Sequence, residues 1–148
     1  MKPILILLSA AILCCAAFGS FAGDAKNINL VPQKFRSVPS FNRNGRGVTV
    51  KVSPGKSYLI RAAVKLNAAS TNPDTKIRIA VRETGVRAIK FFEWHRINAT
   101  EFTNLSAMYK VSPKVTEAYV ILNPRFTAEE KATYKDFAVI EVDEELDE

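Results

Sequence analysis

Apolar residues at every second position, in run after run, constrain this chain more than any other feature. In Lys76–Glu83, Ile77, Ile79 and Val81 alternate with Lys76, Arg78 and Arg82. Successive side chains of an extended strand point to opposite faces, so this spacing puts the aliphatic groups on one side and the cations on the other. The pattern recurs in Val48, Val50 and Val52, and again in Tyr58, Ile60, Ala62, Val64 and Leu66 with Arg61 and Lys65 opposite. Leu105, Ala107, Tyr109 and Val111 repeat it, as do Ala118, Val120 and Leu122. Tyr134–Val142 is almost continuously apolar, as a strand covered on both faces would be. Turn signals separate the runs: Asn44-Gly45, Pro54-Gly55, the polar stretch Asn67–Thr75, Ser112-Pro113 and Asn123-Pro124. Ile28–Val31 fits an opening strand, and Pro32 and Pro39 imply a loosely laid segment after it. Helical spacing is limited to one turn's worth of residues at Thr127–Ala132. Half-buried strands need a second sheet to cover them. The expected fold is therefore an all-β, two-sheet antiparallel sandwich of about eight strands. Leu105, Tyr109, Val120, Leu122, Phe137 and Val139 should lie in its core.

The first residues read differently. One lysine, Lys2, precedes an uncharged stretch from Pro3 to Gly23, and the small residues Ser20 and Ala22 flank a plausible cut before Gly23. This is the pattern of a secretory signal peptide over residues 1–22. A membrane anchor is the rival reading, but Gly19 and Ser20 shorten the strongly apolar part below the roughly 20 residues needed to span a bilayer. Cleavage would remove both cysteines, Cys14 and Cys15, and leave a domain at residues 23–142 standing on its hydrophobic core. Residues 143–148 read as an acidic tail, because six of the 15 acids fall in residues 141–148. The body is correspondingly basic. The expected localisation is outside the cytoplasm, secreted or periplasmic, with no membrane attachment after cleavage. Nucleic acid is an unexpected partner for an exported chain, despite the charge.

Arg87–His95 (RAIKFFEWH) carries the densest set of candidate binding residues. On a regular strand Lys90, Phe92 and Trp94 share one face, and Ile89, Phe91, Glu93 and His95 share the other. Flat rings edged by charged groups suit sugars, whose C–H faces pack on a ring while their hydroxyls take hydrogen bonds. The expected platform is Trp94 with Phe92 and Tyr119, edged by Lys90, Arg78 and Arg82. The same pattern also fits an arrangement in which Phe92 and Trp94 are core. The outward cations favour an acidic glycan.

Several of these motifs together resemble the jelly-roll carbohydrate-binding modules, which are galactose-binding-like β-sandwich domains of secreted proteins. The resemblance rests on Phe102, Tyr109, Ser112-Pro113, Ala118-Val120-Leu122 and Tyr134-Lys135-Asp136-Phe137. Val52–Tyr58 (VSPGKSY) followed by Ala62–Lys65 agrees with it. Phe102 stands where these modules usually carry tryptophan, and Asp136 stands alone where two acids are common. The resemblance implies a jelly roll, a polysaccharide or glycan as partner, and a structural calcium held through Asp136. No second carboxylate accompanies Lys34 and Arg36 in the opening segment to complete such a site.

Catalysis finds no foothold. The one histidine, His95, has no serine or cysteine at a meaningful spacing, and the acids of the body are scattered. Zinc would need several histidine or cysteine ligands. The sequence thus favours a non-catalytic glycan-binding module. A structural or protein-partner sandwich of the extracellular space or cell envelope is the alternative. Two glycosylation sequons, Asn98-Ala99-Thr100 and Asn104-Leu105-Ser106, complete the inventory.

Overall fold

The computed structural model describes residues 28–143. The signal-peptide expectation for residues 1–22, with Cys14 and Cys15, lies outside the described residues, as does the acidic tail beyond Asp143. Nine strands are described: β1 (Val38–Phe41), β2 (Arg46–Lys51), β3 (Ser57–Leu66), β4 (Lys76–Glu83), β5 (Ile89–Phe91), β6 (His95–Arg96), β7 (Thr103–Lys110), β8 (Glu117–Arg125) and β9 (Ala132–Val142). A short 3-10 turn at Gln33–Phe35 precedes them. One sheet has the order β1-β9-β3-β7 and the other β2-β8-β4-β5, with β6 beside β5 on the same edge of β4. Every pairing is antiparallel. Apart from the β4–β6 segment, each successive strand crosses to the opposite sheet, which gives the jelly-roll sandwich its form.

The alternating residues meet between the sheets. Leu105, Tyr109, Val120, Leu122, Phe137 and Val139 are all fully buried, with Ile60, Val64, Ile77, Ile79 and Val81 packed among them. Tyr134 stacks edge-on against Phe137 at 5.5 Å and Phe41 at 5.7 Å, and its hydroxyl donates to the Phe35 carbonyl at 2.7 Å. Tyr134 and Phe137 both face inward although three positions separate them. A bulge explains this: Lys135 and Asp136 both point outward, and residues 135–138 span the same length as 61–63 of β3. Asp136 takes a positive φ of 57°, a conformation that Asp tolerates better than most residues.

Three expectations about strands need correction. Ile28–Val31 makes only an isolated bridge, Asn29 to Ile140, although Asn29 ties it down well. Its side chain donates to the Phe137 carbonyl and accepts from the Val31 and Val139 amides. Pro39, read as part of a loose segment, lies in β1, an edge strand where its missing N–H is tolerated. Asn123-Pro124 does not stop β8, which runs on to Arg125. Because β2 pairs no further than Leu122, that side of β8 is an edge at Pro124. Residues 127–130 form a turn rather than a helix, closed by the Glu130 carboxylate on the Thr127 amide at 2.8 Å.

Candidate functional site

The outward face of the five-stranded sheet follows from the β4 alternation. Ile77, Ile79 and Val81 occupy the core, which turns Lys76, Arg78, Ala80 and Arg82 to the outer face, where Ala80 is covered by its neighbours. Register then names their neighbours. Ala80 pairs with Phe91 of β5 and Ile121 of β8, Arg78 with Asn123, and Arg82 with Ile89 and Tyr119.

Arg78 is the centre of this face. Its guanidinium carbon lies 3.8 Å from the Phe91 ring centroid and 4.1 Å from that of Trp94, and its Nε donates to Asn123 Oδ1 at 2.9 Å. The Lys76 ammonium lies 5.0 Å from the same indole. Burial among these groups lowers the Arg78 pKa from its ordinary value, yet arginine remains charged throughout the physiological range. A cation against a ring contributes about 0.5–2 kcal/mol, more as water is excluded. Arg78, Phe91 and Trp94 thus fix one another, and Phe91 still presents 52 % of its surface to solvent.

A second ring lies further along the sheet. Tyr119 sits over Gly47 of β2, where a methyl group would come within 2.6 Å of its ring carbon, so only glycine leaves room for the ring to lie flat. The Arg82 guanidinium is 5.6 Å from that ring. Thr49, Arg82, Thr84, Val86 and Tyr119 line a shallow groove of about 420 Å3.

Trp94, Tyr119, Arg78 and Arg82 therefore share one face, while Phe92 and Lys90 do not join them. Phe92 donates its amide to the Ile79 carbonyl and packs against the core. Lys90 pairs with Val81, so it points to the core side of β5. There its ammonium bonds the Lys110 carbonyl at 2.8 Å and lies 3.5 Å from Glu83. The expected common face of Lys90, Phe92 and Trp94 fails because the segment is not one strand. Phe92 stands opposite Ile79 and His95 opposite Ile77, so Glu93 and Trp94 together face the single residue Arg78. That extra residue changes the parity and brings Trp94 to the side of Phe91. Sequence reading missed Phe91 for the same reason. A signal for it existed in the break of alternation at Phe91-Phe92-Glu93-Trp94.

Glu83 was also missed. It continues the inward series Ile77, Ile79, Val81 and is only 1 % exposed. Oε2 accepts from the Tyr109 hydroxyl at 2.6 Å and the Ser112 amide at 2.9 Å, and Oε1 from Ser112 Oγ at 2.7 Å. Burial and the adjoining carboxylate push the Tyr109 hydroxyl's pKa well up. With three acceptor directions engaged by Tyr109 and Ser112, Glu83 braces β4 against β7.

Asp136 lies on the other sheet, exposed in the β9 bulge. Among the described residues no three of His, Cys, Asp and Glu gather, so any calcium held through Asp136 would have to draw its other oxygens from carbonyl groups, side-chain amides and water.

No family model and no curated protein matches the sequence. Solved structures do match the fold. The C-terminal family 22 carbohydrate-binding module of Clostridium thermocellum Xyn10B superposes with a TM-score of 0.52 at 12 % identity, covering 71 % of each chain. The CBM22-1–GH10 modules of endo-1,4-beta-D-xylanase 10B from the same organism, complexed with xylohexaose, give 0.53 at 18 % identity. That match covers 70 % of this chain and 21 % of the other, so this chain spans about a fifth of that structure. A xylan-binding domain of the same module family gives 0.52 at 12 % identity. The jelly-roll sandwich is common to all of them.

Proposed function

We propose that this domain is a non-catalytic binding module for polysaccharide, with a preference for acidic chains. The saccharide lies across β5, β4 and β8 on the Phe91–Arg78–Trp94 cluster and Tyr119. The observation that carries this reading is the placement of Arg78 between two rings, 3.8 and 4.1 Å from their centroids. Such a guanidinium is held in place and offers its remaining N–H groups to a carboxylate or sulfate, while the exposed ring of Phe91 offers a sugar an apolar face. The likeness of fold to carbohydrate-binding modules supports the reading as an analogy, since one sandwich hosts many functions.

Trp94 is the single tryptophan of the chain, so its fluorescence reports on this face alone. Titration with a panel of neutral and acidic polysaccharides should perturb emission most for acidic members. Binding should weaken as salt rises, because exposed charge pairs are screened within about 10 Å at 0.1 M. Trp94→Ala should abolish binding, measured by calorimetry, without unfolding the domain. Equal, salt-indifferent binding of neutral chains would remove the acidic preference. Failure of the whole panel would leave the protein-partner reading, which the exposed Ile89 and Phe91 on edge strand β5 favour. Export belongs to the same proposal, and mass spectrometry of the exported protein should find its N-terminus at or near Gly23.

A further inference from the structure

The opposite face of the sandwich carries a larger depression with a different chemistry. A groove of about 790 Å3 runs over β3, β7 and β9, with the segment from Asn29 to Ser37 as one wall. Its floor is low because outward positions there hold small side chains. Ala63 is flanked in register by Asn104 of β7 and Lys135 of β9, and Arg61 by Ser106 and Ala138. Arg61 rises from the middle of this floor, exposed and without a hydrogen-bond or ion-pair partner among the described residues. At one end the ammonium groups of Lys135 and Lys65 lie 4.3 and 4.9 Å from the Phe102 ring. Asp136 is the one acid in the lining. No aromatic face lines the groove: Phe137, which borders it, is 1 % exposed, and the Phe102 ring at the end has the Lys135 and Lys65 ammonium groups over it.

These features select a ligand. A guanidinium, an ammonium, an amide and a hydroxyl on a shallow floor offer donors and no stacking surface. Arg61 and Lys135 are diagonal neighbours across the β3–β9 pair, roughly 7–8 Å apart at the backbone. That separation suits successive anionic groups on a chain better than one small ion. A planar guanidinium takes a carboxylate or sulfate through two parallel bonds. We infer that this groove is a second binding site, for a short acidic oligosaccharide bearing carboxylate or sulfate groups, in which Arg61 and Lys135 take successive anions and Asn104 and Ser106 bond hydroxyls. The inference does not depend on the Arg78 face. If both faces bind, one domain bridges two polysaccharide chains.

Amide resonances of the isotopically labelled protein separate the two faces. Titration with tri-galacturonate as the carboxylated probe, a chondroitin sulfate tetrasaccharide as the sulfated probe, and xylotriose as the neutral control should shift Arg61, Ala63, Asn104, Ser106 and Lys135 with the acidic probes only. The double variant Arg61→Ala, Lys135→Ala removes two exposed side chains. It should lower affinity at these positions by about tenfold or more, as the loss of charge-assisted bonds implies, and leave shifts at Arg78, Phe91 and Tyr119 in place. Trp94→Ala should do the reverse. The inference is overturned if the acidic probes leave the groove amides unmoved, or if the double variant binds there as well as the parent. Equal binding by a hexaglutamate peptide would also overturn it, since that would mean the groove reads charge without reading sugar.

Discussion

Replacing Glu83 with glutamine tests how the sandwich is braced, because Glu83 is the one charged side chain that the described fold buries completely. Its carboxylate accepts three short hydrogen bonds, two from Ser112 and one from Tyr109. A hydrogen bond to a charged group contributes about 1.5–3 kcal/mol and a neutral one about 0.5–1.5. Glutamine keeps the shape, and its oxygen accepts the bonds from the Tyr109 hydroxyl and the Ser112 amide as neutral ones. Its NH2 cannot accept, so the Ser112 hydroxyl must turn and accept instead; the loss is about 3 kcal/mol in all. Lys90 adds little, being partly exposed and 3.5 Å away. In a domain of this size the unfolding midpoint should fall by roughly 10 °C. Acidity provides the sharper check. Burial alone would raise the carboxyl's pKa, but the bonds from Tyr109 and Ser112, with Lys90, outweigh it and hold the group below its ordinary 4.5. A lowered folded pKa means that the stabilisation is complete above the unfolded value and is lost as pH falls through the folded one. Urea unfolding of parent and variant should therefore show a full gap at pH 7 that narrows below about pH 4.5. A gap of unchanged size at pH 3, or none at pH 7, would refute the assignment.

Three further outcomes follow from the geometry. Gly47→Ala should push the Tyr119 ring off β2 and weaken polysaccharide binding by calorimetry, with little change in the unfolding midpoint, because the atoms it meets are the far end of a side chain. Leu122→Ala, at a fully buried position between the sheets, should cost about 2–5 kcal/mol in urea unfolding. Asn29→Ala leaves the Val31 and Val139 amides and the Phe137 carbonyl without that partner, and should cost about 1–3 kcal/mol while hydrogen exchange at Val139 speeds up.

Alternation made much of the fold legible. β4 runs over the residues that the spacing of Ile77, Ile79 and Val81 marked out, and the same parity that buries Val81 buries Glu83. The sequence carried that last signal openly, as an acid in an inward register. The β1 strand was hidden because Pro39 argues against a strand everywhere except at an edge, and a local reading does not know where the edges are. Pro124 misled for the same reason.

The site was less legible because two single-residue bulges decide what each outer face displays. Period-two reasoning carries parity forward from the start of a strand, and one extra residue inverts everything after it. In β9 the inversion is visible afterwards, since Tyr134 and Phe137 are both core residues at an odd spacing. Between β5 and β6 nothing marks it so plainly: Phe91, Phe92 and Trp94 put rings on both parities, so the hydrophobic pattern has no preferred phase to violate. Each bulge adds its residue on the outward side and leaves the inward series intact. The first gives the five-stranded sheet Trp94 opposite Arg78, and the second gives the four-stranded sheet both Lys135 and Asp136. The core, which must alternate to fold, is thus insulated from the two surfaces where a ligand would be met. For that reason Trp94→Ala and Arg61→Ala should alter binding while sparing stability, whereas the inward neighbours Ile77 and Ile60 should do the opposite.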